Sequence, residues 1–75
     1  MESIRRFLNK HDYEFHEDRN GDIVVDCGGQ DYNYWQLVKL IYEHIEEWTY
    51  EQMLEISIRI DIPYETITFM KRKEG

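Results

Sequence analysis

A small α+β fold is predicted by three features of this 75-residue sequence. Tyr34, Leu37, Val38, Ile41, Ile45 and Trp48 recur at the helical period and form one apolar stripe. Tyr13 and Phe15 alternate with polar residues before Asn20-Gly21, and Ile23, Val25 and Cys27 alternate after it, as the strands of a hairpin do. No repeat, low-complexity tract or Pro/Gly/Ser-rich linker interrupts the chain, so a single domain over 1–75 is expected.

The elements follow in order. Ile4, Phe7 and Leu8 stand at i, i+3 and i+4 behind Ser3, a possible cap, which predicts a helix from about 3 to 10. Two turns of helix are not stable alone in water, so this one is expected to dock on a sheet. In the hairpin, a two-residue Asn20-Gly21 loop would set Phe15 opposite Asp26. A three-residue loop, Arg19-Asn20-Gly21, sets Phe15 opposite Val25 and Tyr13 opposite Cys27, and this register is preferred, with Gly21 in a left-handed conformation. Cys27 then reads as a small core residue rather than a reactive thiol. Gly28 and Gly29 end the strand, and Asp31 is placed to cap the long amphipathic helix that carries the stripe.

The C-terminal third supports two readings. Leu54, Ile56, Ile58, Ile60 and Ile62 alternate with polar residues, which predicts a strand near 53–62 and a second near 65–72, a second hairpin. Against this, Thr49 and Gln52 have capping-box spacing, and Trp48 and Met53 could staple a helix beginning at Thr49. Pro63 suits the first turn of a further helix, Tyr64 to Arg72. On that second reading residues 53–72 resemble a helix-turn-helix unit. Ile56, Ile60, Ile62, Ile67 and Met70 would seal the corner, with Ser57 at the close contact and Asp61 in the turn. The resemblance implies a DNA-binding regulator, with Tyr64, Glu65, Thr68, Phe69 and Arg72 on the exposed side of its second helix and Lys71, Arg72 and Lys73 on phosphates.

Charge argues for a different partner. The formal balance is −7, with 9 Lys and Arg against 16 Asp and Glu. Arg5, Arg6 and Lys10 against Glu2 leave the first ten residues at +2, and Lys71, Arg72 and Lys73 against Glu74 do the same at the other end. Residues 11–65 therefore stand at −11. Such a field repels phosphate backbones and attracts basic surfaces. Glu43, Glu46 and Glu47 lie three and four apart on the long helix, and Glu51 and Glu55 extend the row. Together with Asp22, Asp26 and Asp31 they form a candidate imitation of a phosphate backbone. The partner expected for it is a basic, nucleic-acid-handling protein.

The stretch Ile4-Arg5, Asn9-Lys10 and Asp12-Tyr13, with His11 inserted, resembles the start of small acidic type II-A anti-CRISPR proteins, phage products that block the DNA-engaging surface of Cas9. The resemblance spans about ten residues. It implies a stoichiometric inhibitor with an α+β fold.

Catalysis and cofactors are not expected. His11, His16, His44 and Glu17 lack the i, i+4 spacing of a helical zinc motif, and one cysteine builds neither a disulfide nor a cysteine-rich zinc site. Asp18, Asn20 and Asp22 begin like a calcium loop, but Gly21 comes too early and no glutamate closes it, so a turn is expected. There is no glycine-rich phosphate loop, and Ser3 and Ser57 lack a nucleophile's context. No run approaches a membrane span or a signal peptide, so a soluble cytoplasmic protein is expected. Tyr32, Tyr64 and Phe69 are candidates for an exposed aromatic patch, which would favour a homodimer or another protein interface.

Overall fold

The computed structural model describes residues 2–51 and 56–71, with side chains described over 2–48 and 56–71. Two helices cover one face of a four-stranded antiparallel sheet. The elements are α1 (Glu2–Lys10), β1 (His16–Glu17), β2 (Ile23–Asp26), α2 (Asp31–Glu51), β3 (Ile56–Asp61) and β4 (Thr66–Lys71).

α1 forms where expected because Ile4, Phe7 and Leu8 are buried together on one side, while Glu2 and Lys10 suit the dipole at its two ends. It stops at Asp12, whose φ of 61° is left-handed. Tyr13 N–H donates to Leu8 C=O at 2.9 Å and Asp12 N–H to Asn9 C=O at 3.2 Å, the paired bonds of a Schellman terminus. Arg5 then ties the helix to β1 by donating to Glu17, its Nε lying 2.9 Å from Oε1. That bond is the main reason the guanidinium pKa is raised above its ordinary value; desolvation opposes it, and the charges of Glu17 and Glu2 add to it.

The first hairpin takes the three-residue register: His16 opposes Val24 and Glu17 opposes Ile23. Asp18 organises the turn, its Oδ1 accepting from Asn20 N–H at 2.9 Å and Asp22 N–H at 3.0 Å. Gly21 closes it at φ 80°, a backbone that a Cβ would strain. Strand pairing is shorter than the alternation suggests: Tyr13 and Phe15 pack against the core from outside the strand proper.

Gly29, at φ 79°, turns the chain from β2 into α2. Here the cap differs from expectation. Gln30 C=O accepts from Tyr34 N–H at 3.0 Å, and Gln30 Oε1 accepts from Asn33 Nδ2 at 2.7 Å, so Gln30 caps the helix and Asp31 is its first residue. A carboxylate is still favourable in that first turn.

The C-terminal third is a hairpin, and the helix-turn-helix reading of 53–72 is overturned over 56–71. β3 pairs β4 without interruption from Ile56 opposite Lys71 to Asp61 opposite Thr66. β4 also pairs β2, with Ile23 opposite Phe69 and Val25 opposite Ile67, giving the order β1-β2-β4-β3. The isoleucines and Phe69 decide this. At period two they share one face of the sheet, and Ile67 and Phe69 are wholly buried against α2 and α1. No helix begins at Thr49, because α2 continues through it to Glu51, and Trp48 packs on Phe7 and Phe69 as the last described member of the inner stripe. Gln52, Met53 and Leu54 lie outside the described residues. Pro63 sits inside the β3–β4 loop, in a turn closed by Glu65 N–H to Ile62 C=O at 3.2 Å, with Glu65 at φ 53°.

Candidate protein-binding face

α2 has two working sides. Successive residues advance about 100° around a helix. Tyr34, Leu37, Val38, Ile41 and Trp48 therefore point to the sheet and are buried, with Ile45 half-buried beside them. The opposite side carries Tyr32, Trp35, Lys39, Tyr42, Glu43 and Glu46, all exposed. Trp35 and Tyr42 leave 54% and 66% of their surface to solvent, although large aromatic side chains gain most from burial. They stand two helical turns apart, about 10 Å, with Lys39 between them.

Glu43, Glu46 and Glu47 are exposed on the same half of the helix, and none of the ion pairs among the described residues involves them. Glu43 and Glu46 flank Tyr42. Glu47 turns toward α1, where it lines a shallow hollow of about 280 Å³ with Arg6, Phe7, Lys10 and His44. Glu51 is the last residue of α2, and Glu55 lies outside the described residues.

The remaining acids do not continue this row. Asp22 belongs to the first hairpin turn, and Asp26 accepts from Gly28 N–H at 2.9 Å. Asp31 lies twelve residues before Glu43, about 18 Å along the axis. Its carboxyl group meets Glu65 from the β3–β4 loop. The hydrogen bond that protonated Glu65 donates to Asp31 is the main reason the Glu65 pKa is raised, with partial desolvation and the Asp31 charge adding to it and Gly29 N–H opposing it. Of these acids, Glu43, Glu46 and Glu47 share the second half of α2, Asp31 meets Glu65 where the start of α2 faces the β3–β4 loop, and Asp22 and Asp26 are held in turns of their own.

The residues proposed to read DNA are dispersed by the hairpin. Phe69 is wholly buried between β2 and β3, Thr68 is half-buried on the open face of the sheet, and Glu65 is engaged with Asp31. Tyr64 is exposed in the loop and Lys71 at the far end of β4, while Arg72 and Lys73 lie outside the described residues. Of the aromatic patch expected from Tyr32, Tyr64 and Phe69, Tyr32 and Tyr64 are exposed and Phe69 is core. Among the described residues Trp35 and Tyr42 are further exposed aromatics, and their signal is present in the sequence: both fall off the stripe that begins at Tyr34.

His11 and His44 come together around Phe7, their ring centroids 6.2 Å apart, and His44 Nδ1 lies 2.8 Å from Leu40 C=O. His16 and Glu17 are in β1 and face elsewhere. Among the described residues no group of three or more His, Cys, Asp or Glu side chains has metal-holding geometry. Cys27 is buried, and burial, with the charges of Asp26 and Glu65, pushes its thiol pKa up. Such a thiol stays protonated and poorly nucleophilic. No helix among the described residues is long and apolar enough to cross a membrane.

Comparison with known proteins finds no matching family model, no matching curated protein and no matching solved structure.

Proposed function

We propose that this protein acts by binding, without chemistry of its own, and that the outer face of α2 docks on a basic surface of a nucleic-acid-handling protein. The observation that carries the reading is the company Trp35 and Tyr42 keep: exposed aromatics at the centre of a helix face, with Glu43 and Glu46 beside them and Glu47 at the margin. Aromatic anchors supply most of the energy of a protein interface, and a charged rim sets orientation and association rate. A rim of glutamates selects a cationic partner, and cationic grooves are what nucleic-acid enzymes present to phosphates. The −11 balance of residues 11–65 and the likeness of residues 4–13 to phage type II-A anti-CRISPR proteins support an inhibitor that occupies such a groove stoichiometrically.

The test begins with a partner captured from the native cell. Replacing Glu43, Glu46 and Glu47 together by Lys should weaken binding to it by roughly tenfold or more and flatten its salt dependence. An inhibitor of this kind also lowers the partner's affinity for nucleic acid, and the triple variant should not. Unchanged affinity in the triple variant would lead us to abandon the acidic face as the docking site.

A further inference from the structure

β3 is an edge of the sheet. β4 pairs one side of it, and among the described residues nothing pairs the other. Long, regular edges are templates for another strand, and proteins usually shield them with Pro, Lys, a bulge or a covering segment. The opposite edge, β1, is shielded by its brevity: two residues, both exposed. β3 has six residues, Ile-Ser-Ile-Arg-Ile-Asp, in an unbroken register with no proline.

The surface beside this edge is apolar as well. α1 meets α2 through Phe7 on His44 and Trp48, so Trp35 and Tyr42 project from the flank of α2 farthest from α1. Arg5 and Glu17 tie α1 to β1, at the opposite end of the strand order from β3, so that flank lies toward β3. Ile58 and Ile60 are only half-buried, and Ile62, immediately after the strand, is 59% exposed.

We propose that a second copy of this chain occupies the edge, β3 pairing with β3 antiparallel about a two-fold axis at Ile60. The pattern of the strand is self-complementary in this register. Arg59 falls opposite the partner's Asp61, and by symmetry Asp61 opposite the partner's Arg59. Ile58 falls opposite the partner's Ile62, and Ile60 opposite its counterpart. Centring the axis one residue earlier would oppose two arginines, and one residue later two aspartates. Either choice juxtaposes like charges directly across strands. Within one chain Arg59 Nη2 lies 3.8 Å from Asp61 Oδ2, and Arg59 is 70% exposed, a loose pair free to re-form across the axis. The same register covers Ile62, which the single chain leaves in water.

An antiparallel edge joint preserves the faces of the sheet. Two four-stranded sheets become one of eight strands, with all helices on one side and the Trp35 and Tyr42 flank of each α2 beside the joint. The proposal rests on the edge strand and does not depend on the acidic-face reading.

Sedimentation velocity on the full chain, from low to high micromolar concentration, tests the proposal. The unmodified protein should pass from monomer to dimer. Arg59→Asp turns two attractive cross-strand pairs into repulsive ones and should weaken the dimer roughly tenfold, while Arg59→Asp combined with Asp61→Arg should restore it. Ile62→Asp is the companion variant, because an exposed loop residue leaves the fold intact; it too should favour monomer, with an unchanged circular dichroism spectrum. A protein that stays monomeric throughout overturns the proposal, as does a dimer indifferent to both Arg59→Asp and Ile62→Asp. So does a monomer whose Ile58–Ile62 amides become protected only by an extended peptide of another sequence, which assigns the edge to a foreign strand.

Discussion

Tyr34 and Trp35 are neighbours in sequence, their rings 5.0 Å apart, yet Tyr34 is wholly buried and Trp35 is half in water. The contrast holds along α2 as far as Trp48. Its inner side is a stripe of apolar groups locked between the sheet and α1, and its outer side leaves most of the surface of Trp35 and Tyr42 in water. Apolar groups beneath a sheet are accounted for by the hydrophobic effect alone. Aromatics on the far side of the same helix are not accounted for in that way; on the proposed reading a partner covers them, and the glutamates beside them select a cationic one.

The contrast can be broken first by truncation on each side. Leu37→Ala removes a wholly buried side chain and should destabilise the fold by about 2–5 kcal/mol in chemical denaturation. Trp35→Ala, a larger deletion one helical turn away from Tyr32, should change stability by no more than about 0.5 kcal/mol. Equal losses from the two variants would show Trp35 to be core and would remove the anchor from the proposed interface.

A subtler test concerns Tyr34 itself. Its hydroxyl is buried, and among the described residues no partner reaches it. Burial pushes the phenol pKa up, reinforced by the charges of Asp61, Glu65 and Cys27. A buried hydroxyl without a partner is a liability of about 1–3 kcal/mol, so Tyr34→Phe should stabilise the protein within that range. A loss of stability would show that the hydroxyl is in fact bonded.

The smallest effect is expected where Asp31 meets Glu65. The Glu65 pKa is raised in the fold, so its carboxyl contributes stability that is fully present below the ordinary glutamate pKa and lost as pH rises through the raised value. Glu65→Gln keeps a neutral group beside Asp31 at every pH. It should therefore raise the melting temperature near pH 7, and the gain should vanish near about pH 4. A gain that persists in acid would point to some cause other than repulsion between Glu65 and Asp31.

Much of this architecture is legible in the residues. Ile4, Phe7 and Leu8 specify α1, and the stripe from Tyr34 to Trp48 specifies the inner side of α2, because both are periodic patterns that burial enforces. The turn Asp18 to Asp22 is legible because local bonds to one aspartate and one glycine determine it. The C-terminal third was not resolved, since Thr49 and Gln52 have the spacing of a helix start while Ile56 to Ile62 alternate as a strand. Tertiary packing decided between them. Trp48 had a place against Phe7 and Phe69, so α2 ran on past Thr49, and Phe69 had a place between Ile23 and Ile58. The candidate face is half legible. Glu43, Glu46 and Glu47 could be placed on one helix, but the burial of Phe69 and the exposure of Trp35 and Tyr42 depend on which way the sheet lies.

The position of β4 also governs when the fold can form. The last described strand in the chain is an interior strand of the sheet, hydrogen-bonded to β2 on one side and β3 on the other. Until Thr66–Lys71 has left the ribosome, β2 has no partner but the two residues of β1, and β3 has none among the described residues. Folding is in this sense closed by a keystone, and its pairing with β2 spans 40 to 46 residues, from Asp26 with Thr66 to Ile23 with Phe69, a contact of high sequence separation that slows formation. A ribosome-stalled fragment ending before Thr66 would expose Ile23, Val25 and the β3 isoleucines together, and chaperone capture of such fragments should fall once β4 emerges.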